Sequence, residues 1–227
     1  MSNMMIWILL IAVMVLSFVV QQKLQSRFKK YSAIRNSSGM TGAQVAEKML
    51  RDNGIYDVKV VSVPGMLTDH YNPQNKTVNL SEGVYNQNSI AAAAVAAHEC
   101  GHAVQHAVGY APLRLRSALV PVVNFANMAV QWVLLAGVLM INIFPSLIWL
   151  GIALFAMTTL FSVVTLPVEV NASARAVSWL ESSGVASYDT KPMAIDALKW
   201  AAYTYLIAAI GSIATLLYYI SIGNSRR

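Results

Sequence analysis

The sequence predicts an α-rich membrane protein: four transmembrane helices with a small α+β unit at the membrane surface. Three observations carry this reading. Hydrophobic residues make up 56% of the chain and charged residues 11%, against roughly 25% charged in an ordinary soluble domain. Several charge-free runs are long enough to cross a bilayer. The polar remainder gathers into two segments, the first of which mixes helical and strand patterns. The formal net charge of +6 argues for a membrane surface and against nucleic acid, because the basic residues cluster beside apolar runs.

The first span is 4–20, MMIWILLIAVMVLSFVV. A cleaved signal peptide would carry positive charge before its apolar core. Here Lys23, Arg27, Lys29 and Lys30 follow the run instead, which predicts a retained anchor with its N-terminus outside. The soluble segment is 21–117. Thr41–Gly42–Ala43–Gln44 matches a capping box, so a helix is expected from there to about Asn53, stopped by Gly54. Residues 57–63 alternate polar and apolar, as a half-buried strand does. Leu67 to Tyr71 is a second extended piece, and Lys76 to Leu80 a third.

The next helix is the centre of the chain. Ser89 or Asn88 serves as N-cap, and an alanine-rich run leads into Ala96–Ala97–His98–Glu99–Cys100–Gly101–His102–Ala103–Val104–Gln105, ending near Gly109. On a helix, residues four apart share a face, so His98 and His102 can put two imidazole nitrogens on one metal ion. Glu99, rotated roughly 100° from His98, flanks the ion without blocking its open position. Three of the four histidines of the chain lie between 98 and 106. This is the pattern of a zincin-like catalytic unit, in which zinc lowers the pKa of its bound water and a glutamate takes the proton. Cys100, the sole cysteine, points away from the histidine face and is expected in the core.

After Arg116 there is no charge for 52 residues. As one helix these would extend about 78 Å, more than twice the ~30 Å hydrocarbon thickness. A transmembrane hairpin over 118–168 follows, broken at Asn142 to Ser146. Asn124, Asn127 and Gln131 share one face of its first arm and are expected to hydrogen-bond to another helix, or else to line a substrate path. Residues 169–199 form a second polar loop between spans, with Ser182–Ser183–Gly184 ending one helix and Pro192 near the start of another. Residues 200–222 form the fourth span, with aromatic residues at both ends.

A catalytic zinc generally takes three protein ligands. His106 is rejected, since on a straight helix it stands about 12 Å from His98. Glu169 is preferred. It is the first charge after the hairpin, and an acidic residue there is costly without a partner. Two spans separate it from His102, so both lie on one side. Eleven Lys/Arg between 21 and 117 make that side cytoplasmic. Arg226 and Arg227 disagree, because four spans leave the C-terminus outside.

The chain resembles the YugP-like family of bacterial membrane-bound neutral zinc metallopeptidases. The resemblance rests on Leu67–Thr68–Asp69–His70–Tyr71–Asn72–Pro73, Lys76 to Ser81, the motif from Ala96 to Gln105, and Leu166–Pro167–Val168–Glu169–Val170–Asn171–Ala172–Ser173. It implies a zinc endopeptidase with His98, His102 and Glu169 as ligands and Glu99 as general base. In related membrane gluzincins an aspartate stands where this chain has Ser173, and the family pattern favours one at Asn171. Both are therefore expected beside the ligands, where they can hydrogen-bond an imidazole but bring no negative charge to raise its basicity. His70, Tyr71 and Arg175 are candidates for transition-state or substrate contacts. The strand from Lys76 to Leu80 could pair with an extended peptide.

The combined expectation is a membrane-embedded zinc endopeptidase of the bacterial inner membrane, its site on the cytoplasmic side. It would hold one Zn2+ per chain and act on peptide or membrane-protein substrates, in contact with the lipid bilayer and in a monomeric or self-associated state. The alternatives are a zinc hydrolase of a lipid or small amide, and a non-catalytic membrane scaffold.

Overall fold

The computed structural model describes residues 3–224. The elements run α1 (Asn3–Ser32), α2 (Gly42–Asp52), β1 (Lys59–Val63), β2 (His70–Asn72), β3 (Thr77–Ser81), α3 (Glu82–Tyr85), α4 (Ile90–Ala107), α5 (Ala111–Leu139), α6 (Pro145–Ser182) and α7 (Lys191–Asn224). Helices α1, α5, α6 and α7 are each long and apolar enough to cross a membrane. Arg226 and Arg227 lie outside the described residues.

The chain divides into two compact units. One holds the segment up to Val19, Arg114–Pro167 and the chain from Thr204 onward. Within it, α5 and α6 pack as a close hairpin. A Cβ on Gly137 would stand 2.7 Å from the Ile148 Cα, and one on Gly151 would stand 2.7 Å from Leu134. Only glycine lets the two backbones approach that closely. Pro145 opens α6 at its first position, where no amide is needed. On α5, Leu134 and Gly137 face α6, and Val123 and Ala126 are also buried. The expectation for Asn124, Asn127 and Gln131 is not met inside the chain. All three are exposed, and none forms a hydrogen bond among the described residues. The reason is phase: the hairpin contact uses the neighbouring face of the helix.

The other unit, Val20–Leu113 with Val168–Tyr203, is built around α4. Ala91, Ala92, Ala93, Ala94, Ala96 and Ala97 are all at most 1% exposed. A helix apolar on every side is one surrounded on every side, and alanine lets its neighbours come close. Val45, Met49, Val78, Leu80, Ala176, Leu180 and Leu198 fill that surround. Helix α2 begins as its capping box dictates. Thr41 Oγ1 accepts the Gln44 N–H while Gln44 Oε1 accepts that of Thr41, and Gly54 follows at φ 71°. Ser89 caps α4, its hydroxyl accepting the Ala92 N–H at 3.1 Å.

The sheet order is β1-β3-β2, with β3 parallel to β1 and antiparallel to β2. This corrects the expectation that the strand from Lys76 to Leu80 offers a free edge: β3 is central, and both of its sides are paired. The second extended piece is also shorter than expected, because Leu67 sits at φ 58° and cannot continue a strand. The segment 169–199 breaks where its sequence signals place the breaks: α6 ends at Ser182 and α7 begins at Lys191, with 183–190 between them. Its polar residues form one face of α6 and α7, while Ala172, Ala176 and Leu180 keep a helical apolar stripe toward the core.

Candidate metal centre

In the second unit, α4 and the part of α6 from Val168 onward bring the candidate metal ligands together. On α4, His98 and His102 lie one turn apart, their rings 4.8 Å between centroids. On α6, Glu169 is 2% exposed, and its Oε2 stands 3.2 Å from His98 Nε2 and 3.5 Å from His102 Nε2. All three ligand atoms fall within 4.8 Å of one another, and these residues could hold a metal ion. The distances test the fit. Zinc bonded at about 2.0–2.1 Å to tetrahedral ligands separates them by about 3.3 Å. The two nitrogen–oxygen distances bracket that value, so the carboxylate stands from each histidine at a spacing that fits a shared zinc ion.

The approach of the two helices depends on Gly101. A Cβ there would stand 2.6 Å from the Ala172 carbonyl oxygen, which explains a glycine between the two histidines.

The far nitrogen of each imidazole is also engaged. Ser173 Oγ lies 3.1 Å from His98 Nδ1. His102 Nδ1 faces Gln105 Oε1 at 3.1 Å. Gln105, wholly buried, donates through Nε2 to the Val168 carbonyl at 2.8 Å and to Asn171 Oδ1 at 3.0 Å. Arg175 Nε donates to the same Asn171 oxygen at 2.8 Å. The donor directions follow from chemistry. Arg175 can only donate and a carbonyl can only accept, so the Gln105 amide has one usable orientation. Its oxygen then faces His102, which must carry its proton on Nδ1 and leave Nε2 with a lone pair for the metal. Burial pushes the His102 proton off, but the carboxylates of Glu169 and Glu99 outweigh burial and the net shift is upward. A metal therefore competes with that proton.

Glu99 is buried beside the triad, and its Oε2 accepts the Tyr71 backbone N–H at 3.0 Å. This ties α4 to β2. Asp69 holds the start of β2 by accepting from the Ser81 N–H at 2.7 Å and from its hydroxyl. The other candidates are placed as follows. The Tyr71 phenol lies 2.8 Å from His106 Nδ1, and burial raises its pKa, so it stays protonated. His70 is exposed, with Nδ1 on the Thr68 carbonyl at 2.8 Å. Cys100 is fully buried against the Ala46 carbonyl, and burial pushes its thiol well up, leaving it inert. Sequence reasoning missed Gln105 and Asp69. The one signal for Gln105 was a polar residue one turn beyond His102, on the face that His98 and His102 share.

Comparison with known proteins agrees with this geometry. A family model described as "Putative neutral zinc metallopeptidase" matches residues 6–224. The chain is 45% identical over 214 residues to a Bacillus subtilis (strain 168) protein named "Putative membrane protease YugP", covering 94% of each chain. No solved structure matches. The triad, the glutamate beside it and a family match across nearly the whole length lead to one conclusion: the chain belongs to this zinc metallopeptidase family.

Proposed function

We propose that the chain is a membrane-embedded, zinc-dependent endopeptidase, with one zinc per chain held by His98, His102 and Glu169. The observation that carries the proposal is a single carboxylate oxygen at 3.2 and 3.5 Å from two imidazole nitrogens, with Glu99 buried alongside. Zinc held there supplies Lewis acidity toward a carbonyl oxygen and lowers the pKa of water at the site. Glu99 takes the proton of the attacking water and later delivers it to the leaving amine. Its Oε2 is held by the Tyr71 N–H, and its other oxygen has no protein partner among the described residues. One oxygen is therefore anchored and the other left for proton transfer. Ser173 and Gln105 orient the two imidazoles.

An edge strand remains the natural place for an extended peptide, and β2 takes the role first given to the strand from Lys76. It pairs on one side only, with β3, and its Tyr71 N–H meets Glu99. A substrate backbone laid along β2 would lie beside the general base, with sequence preference left weak. The charge distribution supports a site on the cytoplasmic side of a bacterial inner membrane.

The test is Glu99→Gln in detergent-purified protein, assayed on a casein-like substrate and on lipid vesicles side by side. Loss of a general base costs about 10²–10⁴ in rate. The proposal expects proteolysis to fall by that factor while zinc content stays at the wild-type value. Unchanged proteolysis overturns it, and turnover confined to the lipid makes the chain a lipid hydrolase.

A further inference from the structure

Asn124, Asn127 and Gln131 have no use inside the chain. They lie in the middle of α5, a 29-residue helix with no charge after Arg116, and all three are exposed without a hydrogen bond among the described residues. In a bilayer, an amide facing hydrocarbon loses its hydrogen bonds to water and gains none. One such residue is tolerated near an interface; three on one face at mid-span need a partner.

Their spacing, three residues and then four, is the a-d-a seam of a two-helix supercoil. Val120, the preceding d position, and Val138, one heptad after Gln131, share this face and are exposed at 39% and 38%, while the d position between Gln131 and Val138 is Leu134, which is buried in the hairpin. The hairpin with α6 uses the adjacent face, through Leu134 and Gly137. The seam is thus a second packing surface that borders the first at Leu134.

We propose that this seam is a homodimer interface and that its occupant is a second copy of the chain. Copies inserted in the same orientation are related by a two-fold axis along the membrane normal, so each seam residue meets its own counterpart. An amide is both donor and acceptor. Asparagine facing asparagine, and glutamine facing glutamine, therefore exchange hydrogen bonds, as a buried asparagine does in a parallel coiled coil. That self-complementarity selects a second copy. An acyl chain offers neither donor nor acceptor, and an unrelated helix would need amides in the same register.

The test is disulfide cross-linking of the full-length chain in native membranes. Cys100 is fully buried and stays out of the reaction. Val120→Cys and Val138→Cys lie on the seam, whereas Phe125→Cys and Trp132→Cys lie on the other exposed side of α5. The seam cysteines are expected to give at least tenfold more covalent dimer than the other pair. Adding Asn124→Leu, Asn127→Leu and Gln131→Leu should reduce the Val120→Cys dimer to background. Leucine suits both helix and lipid, and a circular-dichroism melt checks that this variant is folded. Equal dimer from both sides overturns the proposal as random collision. Seam cysteines that react with a water-soluble maleimide but form no dimer overturn it in favour of a water-lined path. Cysteines that do neither face lipid and overturn it as well.

Discussion

Gln105 fits its site in one orientation only, and that orientation decides which nitrogen of His102 is available to a metal. A glutamate there would keep an acceptor for His102 but turn its second oxygen on the Val168 carbonyl and on Asn171 Oδ1, which are acceptors themselves. Gln105→Glu is therefore expected to speed zinc dissociation about 10–100-fold, the usual cost of disturbing a ligand's outer partner. The measurement is chelator competition. Asn171→Asp keeps an acceptor for both Arg175 and Gln105 and should stay close to wild type. If added carboxylate charge were what the site lacks, Gln105→Glu would slow dissociation instead. A second residue-scale effect concerns pH. The hydrogen bond from Lys48, with that from the Trp179 indole, holds Asp52 below the usual carboxylate range despite some burial. A depressed folded pKa stabilises above the unfolded value, and the contribution is lost as pH falls through the lowered one. Asp52→Asn should therefore melt lower than wild type at neutral pH, with the gap closing in acid. The histidine pair, Glu99 and Cys100 were legible because one helix fixes their mutual geometry. Gln105 was not, because its partners lie 63 and 66 positions away.

Among the elements, α4 and α6 meet where Gly101 faces the Ala172 carbonyl. Gly101→Ala must push the helices apart by tenths of an ångström or more, and overpacking of this kind costs about 1–3 kcal/mol. Because Glu169 lies one turn from Ala172, zinc content should fall along with the melting temperature. Gly83→Ala, where a Cβ meets nothing within 4 Å, is the control and should keep both. Helices α2 and α4 were readable from their caps, since Thr41, Gln44 and Ser89 act on amides three residues away. Strand order was not readable, because nothing local in Thr77–Ser81 says that β1 and β2 flank it. The breaks in 169–199 were readable too, because Ser182–Ser183–Gly184 stops one helix and Pro192 stands near the start of the next, both local signals.

At the scale of the whole molecule, composition alone gave the membrane class, and 52 charge-free residues forced a hairpin before any contact was known. What composition could not give is that a segment before the hairpin and one after it build a single unit. Their meeting at His102 and Glu169 has a mechanical consequence. An ion bound to both is a removable cross-link that closes a loop of 66 intervening residues. Free in solution, closing a loop of that size restricts the unfolded chain by about 4 kcal/mol in the entropic account. In a bilayer the two spans inside the loop already restrain its ends, and the gain is smaller. The unit should behave like a protein whose disulfide can be drawn out by a chelator. Removing the ion should lower its melting temperature and quicken its digestion by added trypsin, and returning zinc should reverse both with the logarithm of its free concentration.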